Sequence, residues 1–441
     1  MQLLNRAEFA VALKKGLGRA WLHVANYGLD DVADLVLEAC LHKQSYDPQD
    51  ESSRAVWLFE MFGQTSHYAR FRESILDALS TETDTWDSQQ LCNLAKEMAI
   101  RGDELARQAV KVYAFEKAND PACDDWLGAK EWRDLAGVEG VIDLARIYGQ
   151  RLIIDPNDRP DYFWWTNETK QIYQAALLQN AQNDSAIQAY WEYLEARGVF
   201  ASLDQPVDRE VARQEARKHI RPINQILDDA KNGASEYPSY YTVFGRYATS
   251  DELEVVYNAL LTATDDVARV RLLWVFRRAS PPRLDDIIFK WAFGDNEDLR
   301  EAALIALAQI TDARIRTLAS TKLTAGQLNS SDSAVLALFL HNYQSEDAQA
   351  INSAVVTIEL EDCEDAHSWG VELINIAERH ADPELAPALR WVYANTPCTL
   401  CRSSVVKLLD QFQALDDALL QECLHDAEED TRAIARKQLE R

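Results

Sequence analysis

Asp298-Leu-Arg-Glu-Ala-Ala-Leu-Ile-Ala-Leu307 decides the fold. Leu299, Ala302, Ala303, Ala306 and Leu307 share one face of a helix at i, i+3, i+4 spacing. Asp298 supplies an acceptor for the unpaired N–H groups at the helix start. Related stretches stand on either side: Asp266-Val-Ala-Arg-Val-Arg-Leu-Leu273, Asp332-Ser-Ala-Val-Leu-Ala-Leu338, Asp365-Ala-His-Ser-Trp-Gly-Val-Glu-Leu-Ile374 and Asp430-Thr-Arg-Ala-Ile-Ala-Arg-Lys-Gln-Leu439. The first four begin 32, 34 and 33 residues apart, and the last follows after 65, two periods. A fixed period in the low thirties marks stacked helix pairs rather than one globular core. The chain is therefore predicted to be all-α, an α-solenoid of antiparallel helix pairs curved around a concave face.

Working outward, the first helices of the pairs are expected at 251–261, 284–292, 313–323, 348–358, 383–393 and 417–424, with Thr399 opening the fifth second helix. Three features of this region resemble HEAT repeats: the Asp at the turn, an Arg shortly after it (Arg269, Arg300, Arg402, Arg432), and the Ala303, Ala306, Leu307 core. The pairs at Asp332 and Asp365 keep the period without the Arg. The resemblance covers about 250–441, and the helices before it resemble the N-terminal parts of uncharacterised bacterial HEAT-repeat proteins. It implies a HEAT- or armadillo-like solenoid and specifies no activity.

The rest of the chain divides by pattern. Residues 1–154 read as short helices with N-cap candidates at Asp87 and Asp103 and glycines placed to end helices at Gly63, Gly102 and Gly149. Asp155-Pro-Asn-Asp-Arg-Pro160 breaks every periodicity. A middle segment, 155–249, follows, with two helices, a long helix over 207–231 kinked at Pro222, and two aromatic runs, Tyr162-Phe-Trp-Trp165 and the set Tyr237, Tyr240, Tyr241, Phe244, Tyr247. Those runs either seal the junction between helical segments or form binding hot spots. The third domain is 250–441.

Composition bounds the function. With 72 acidic against 45 basic residues the net charge is −27, which disfavours non-specific contact with nucleic acid and anionic membranes. The seven cysteines are odd in number and scattered through helical runs, and the N-terminus lacks a signal-peptide pattern, so a cytoplasmic protein with reduced thiols is expected. No apolar run is long enough to span a bilayer. Metallopeptidase, nucleophile-elbow and phosphate-loop motifs are missing, which argues against an enzyme without excluding a site assembled from distant helices. No cofactor is expected.

Two arginine clusters are the binding candidates. Arg209, Arg213, Arg217 and Arg221 recur at i+4 and define one face of a helix. They either fasten a neighbouring acidic helix or form an anion site. Arg271, Trp274 and Arg278, at i, i+3, i+7, could stack guanidinium on indole, whereas Arg277 and Arg278 could simply complement a helix C-terminus. Cys398-Thr-Leu-Cys401 opens a helix, and Cys363, His367, Cys423 and His425 in neighbouring repeats could complete a zinc site. Unligated thiols and no metal are the expectation. The function expected is a protein-binding scaffold presenting a concave groove to a protein or peptide partner. The alternative is a nucleic-acid or nucleotide-processing protein that uses the arginines as an anion groove.

Overall fold

A computed structural model describes residues 3–122, 126–160, 167–200, 217–233, 238–325 and 328–440. Every regular element among them is helical. Two compact units result: Met1–Gln205 together with Asp417–Arg441, and Pro206–Asp416. These boundaries differ from the three segments read from the sequence, because Asn167–Ala181 and Ser185–Ala196 pack on Val138–Ile154 and the last helix pair packs with the N-terminal helices.

In the Pro206–Asp416 unit the periodic stretches form helices Asp266–Val275, Glu297–Ala308, Ala334–Ala337 and Cys363–His380, with Thr399–Gln411 as the fifth. Each packs on the next, and Asp266–Val275 also packs on Pro238–Tyr247. Glu297–Ala308 therefore has neighbours on both sides as well as its own partner helix Asp286–Ala292. This explains why Leu304 and Ala308 are buried beside the expected stripe of Leu299, Ala302, Ala303, Ala306 and Leu307. The helix led by Asp332 shrinks to one turn, but the chain beyond it stays in tight i→i+3 turns with Leu338 and Phe339 fully buried.

The aspartates that mark the period are mostly first-turn acids rather than caps. The capping side chains are Asp265, Asn296 and Asp362, which accept from Ala268, Leu299 and Asp365 N–H at 2.9, 3.1 and 3.0 Å. Asp266, Asp298 and Asp365 sit just inside, where the helix dipole favours negative charge. The recurring arginine has a distinct job. Arg269, Arg300 and Arg432 each donate to the carbonyl six residues back, at Ala263 (3.0 Å), Gly294 (3.3 Å) and Asp426 (2.6 Å). Each thus ties down the turn before its own helix. Arg402 is completely buried.

In the other unit, the strongest packing joins Val138–Ile154 to Ser185–Ala196. Gly149 is not a helix end. It lies inside Val138–Ile154, where a Cβ would stand 1.7 Å from the Ala186 carbonyl oxygen, so only glycine permits this approach. Asp84, not Asp87, caps Thr85–Ile100, while Asp103 caps Glu104–Asn119 as expected. The break at Asp155–Pro160 is tied to the helix before it: Asp158 takes two hydrogen bonds from Arg151, at 2.7 and 3.0 Å, which hold its carboxyl below the usual range. Arg151 also donates to the Ala118 carbonyl at 2.7 Å.

The terminal pair, Asp417–Cys423 and Glu429–Leu439, docks on Gly18–Tyr27. Gly18 makes room, since a Cβ there would stand 1.9 Å from the Glu422 carbonyl oxygen. The rings of Trp21 and His425 stack at 4.2 Å, Trp57 Nε1 donates to the His425 carbonyl at 2.9 Å, and Arg19 pairs with Glu422 at 2.8 Å.

Pro222 interrupts the expected long helix instead of kinking it. The chain turns at His219 and Ile220, and extended Pro222 precedes a separate helix, Ile223–Asn232.

The arginine ties give a stability prediction. Arg300→Ala leaves the Gly294 carbonyl without its charged donor and should cost about 2 kcal/mol in urea unfolding. The exposed Arg70→Ala should change stability by less than about 0.5 kcal/mol. Equal effects would remove the repeat arginine from its role.

Candidate functional site

Arg209 and Arg213 lie outside the described residues. Arg217 and Lys218 are helical, and Arg217 pairs with Glu252 at 2.9 Å, while Glu252 also completes the capping box of Ser250–Thr262. Arg221 lies beyond them, bound to Asp229 at 2.5 Å and stacked 3.7 Å from the Tyr240 ring. The i+4 spacing therefore does not continue as one helix face through Arg221, and both described arginines are engaged within the protein. Of the aromatic sets, residues 162–165 and Tyr237 are outside the described residues, while Tyr241 and Phe244 are buried.

The second cluster is placed differently. Asp266–Val275 ends before Arg277, so Arg277 and Arg278 occupy the turn that follows. Arg271, Trp274 and Arg277 face Asp298, Glu301 and Ile305 across a cleft of about 340 Å³ between Asp266–Val275 and Glu297–Ala308. Arg278 does not line it. Arg271 is steadied by one hydrogen bond, from Nη1 to the Ala230 carbonyl at 3.3 Å. Gly233, left-handed at φ 73°, lies against the same guanidinium, where a Cβ would be 3.4 Å from Nη1. Trp274 leans on buried Tyr241 with ring centroids 5.9 Å apart and keeps part of its surface exposed. No guanidinium stacks on Trp274 among the described residues. The cation–π pairs nearby are Arg269 with Trp291 and Arg283 with Tyr257, at 5.3 and 4.6 Å.

Arg277 is exposed and has no hydrogen-bonded partner among the described residues. Its charge acts on two carboxylates, Glu301 and Glu372, which sit on different second helices. Both carboxyls are pushed above the usual glutamate range, chiefly by the crowding of surrounding protein, with Arg277 pulling the other way. Glu301 is reachable by solvent yet stands within a concave surface, so it is accessible and poorly hydrated at once. Sequence reading overlooked Glu301. Its only signal was its place on the next second helix, across from the Arg271 face.

A larger cleft, about 610 Å³, runs along Ala313–Thr324 beside His341 and Tyr343. Several of its polar groups are already engaged. Thr317, Thr321 and Thr324 donate to carbonyls of their own helix at 3.0, 2.7 and 2.8 Å, and Arg316 pairs with Glu346 and Asp347.

The residues able to hold a metal are fewer than the sequence offered. His367, Cys398 and Cys401 place their ligand atoms within 4.8 Å of one another, with Cys401 Sγ 3.7 Å from His367 Nδ1. Cys363 is exposed and outside this group, and His425 stacks on Trp21 in the other unit. Comparison with protein families, curated proteins and solved structures found no match. No helix among the described residues is long and apolar enough to cross a membrane.

Glu301 supplies a test of the cleft's electrostatics. A carboxyl whose folded pKa is raised favours the folded state fully only below the ordinary value of 4.5, and that contribution is lost as pH rises through the folded value. Glu301→Gln should therefore raise the melting temperature at pH 7, and the gain should vanish below about pH 4.5. A loss of stability at pH 7 would show that Glu301 is instead held by a strong ion pair.

Proposed function

We propose that the protein is a binding scaffold whose Pro206–Asp416 unit is a HEAT-like solenoid segment, and that the cleft between Asp266–Val275 and Glu297–Ala308 holds an extended segment of a protein partner. The succession of second helices, each packed on the next, supports the solenoid reading. The observation that carries the binding reading is Arg277, exposed and without a hydrogen-bonded partner, beside the part-exposed face of Trp274.

The chemistry of the cleft suits a peptide. An extended chain offers carbonyls and N–H groups in alternation. Arg271 and Arg277 donate to its carbonyls, Asp298 and Glu301 accept from its N–H groups, and Trp274 with Ile305 takes one apolar side chain. The mixture of charges explains why a net-acidic chain keeps arginines here: neither sign dominates. A phosphate backbone would meet Asp266, Asp298 and Glu301 in the same cleft and be repelled.

A displayed library of unstructured peptides panned on the full chain tests this. The wild type should enrich peptides with a bulky apolar residue. Arg277→Ala should weaken them about 10-fold and Trp274→Ala about 30-fold, with Arg277→Ala lowering the melting temperature only slightly, through the loss of its pull on Glu301 and Glu372. An absence of enrichment, or equal affinity for Arg277→Ala, would contradict the proposal.

A further inference from the structure

We propose that His367, Cys398 and Cys401 form a binding site for one thiophilic divalent metal ion, zinc above all, which clips helix Cys363–His380 to helix Thr399–Gln411. The placement follows from local structure. Cys398 is the N-cap of Thr399–Gln411, and its Sγ accepts the Cys401 N–H at 3.5 Å. N-cap and third helical position lie one turn apart, so a C-x-x-C pair at a helix start turns both sulfurs to one side. His367 arrives from the preceding second helix, Cys363–His380, which packs directly on Thr399–Gln411.

The distances suit the ion. A tetrahedral zinc with Zn–S near 2.3 Å and Zn–N near 2.0–2.1 Å spans an S···N edge of about 3.6 Å. Cys401 Sγ and His367 Nδ1 are 3.7 Å apart. The remaining ligand separations, within 4.8 Å, need only a small side-chain rotation to reach an S···S edge of about 3.8 Å. The donor set is also selective. Two sulfurs and an imidazole favour zinc and similar borderline-soft ions over magnesium or calcium, which require oxygen. The helix N-terminus puts partial positive charge beside Cys398, which favours the thiolate that a metal needs.

Cys398 is 4% exposed whereas His367 and Cys401 are half-exposed, so the site has a dry floor and a wet rim. Three protein ligands leave a fourth position facing that rim, where water can bind. Binding releases the two thiol protons, bonds the metal to both sulfurs and Nδ1, and changes no oxidation state. The proposal departs from the expectation of unligated thiols for these two cysteines. It does not extend the set to Cys363, one turn before His367 and exposed.

The test uses the full chain, reduced, stripped with chelator and titrated with zinc alone against a chromophoric competitor. One zinc per chain is expected, and it should raise the melting temperature by ligand linkage. Cobalt should give a thiolate-to-metal charge-transfer band and tetrahedral d–d intensity. Cys398→Ser, Cys401→Ser and His367→Ala should each weaken zinc by more than about 100-fold, because even outer partners of metal ligands cost 10–100-fold. Cys363→Ser should leave affinity unchanged. Half-exposed His367 provides the variant least prone to misfolding if a serine substitution fails to fold. Substoichiometric zinc, a cobalt spectrum without the thiolate band, or full affinity in His367→Ala would each overturn the site. Loss of binding in Cys363→Ser would overturn the three-ligand assignment.

Discussion

The docking of the terminal helix pair on Gly18–Tyr27 is the constraint on which the larger part of the architecture rests. Asp417–Cys423 has only seven residues, too few to be helical alone. It persists because Leu420 and Cys423 are buried, Trp21 covers His425, and Gly18 lets the backbones meet. Stacked aromatic pairs contribute about 0.5–1.5 kcal/mol beyond their buried area. Beside the stack, the His425 carbonyl accepts from the Trp57 indole. One consequence is topological: the first unit is closed by the last residues of the chain, and the whole Pro206–Asp416 unit is inserted between its parts.

Local pattern was enough for some of this and not for the rest. The helix at 297–308 and its buried stripe follow from spacing alone, as do Cys363–His380 and Thr399–Gln411. The caps were misread by one to three residues, because Asp266, Asp298 and Asp365 satisfy the dipole as well as a cap would. Ala129–Ala136 is amphipathic but, at eight residues between Gly128 and Gly137, spans barely two turns, too short a window for its pattern to stand out. Pro222 ended a helix that the arginine spacing had seemed to extend. The contact of Gly18 with Glu422 leaves no local trace, since the two residues are joined only through the fold.

The candidate site was legible to the same degree. Arg271 and Trp274 were identified from their spacing, and they do share a cleft. Arg278 was preferred to Arg277 because the helix was read too long by a turn, and Glu301 required knowing which helix lies opposite. The structure also sorts the arginines by task. Arg269, Arg300 and Arg432 hold turns, and Arg217 and Arg221 are bound to carboxylates. Arg277 has no hydrogen-bonded partner among the described residues. The C-x-x-C follows the same logic: a common pair of residues acquires meaning only because His367 is delivered to it by the preceding helix.

Hydrogen-exchange mass spectrometry on the full chain and on a chain ending at Asp416 tests the central claim of closure by the C-terminal pair most directly. The account predicts that truncation strips protection from Arg6–Lys15, Gly18–Tyr27 and Ala55–Phe62, the helices that carry the contacts to Glu422, His425 and Ala427 or pack beside them. Unchanged protection in Gly18–Tyr27 after removal of the pair would contradict it.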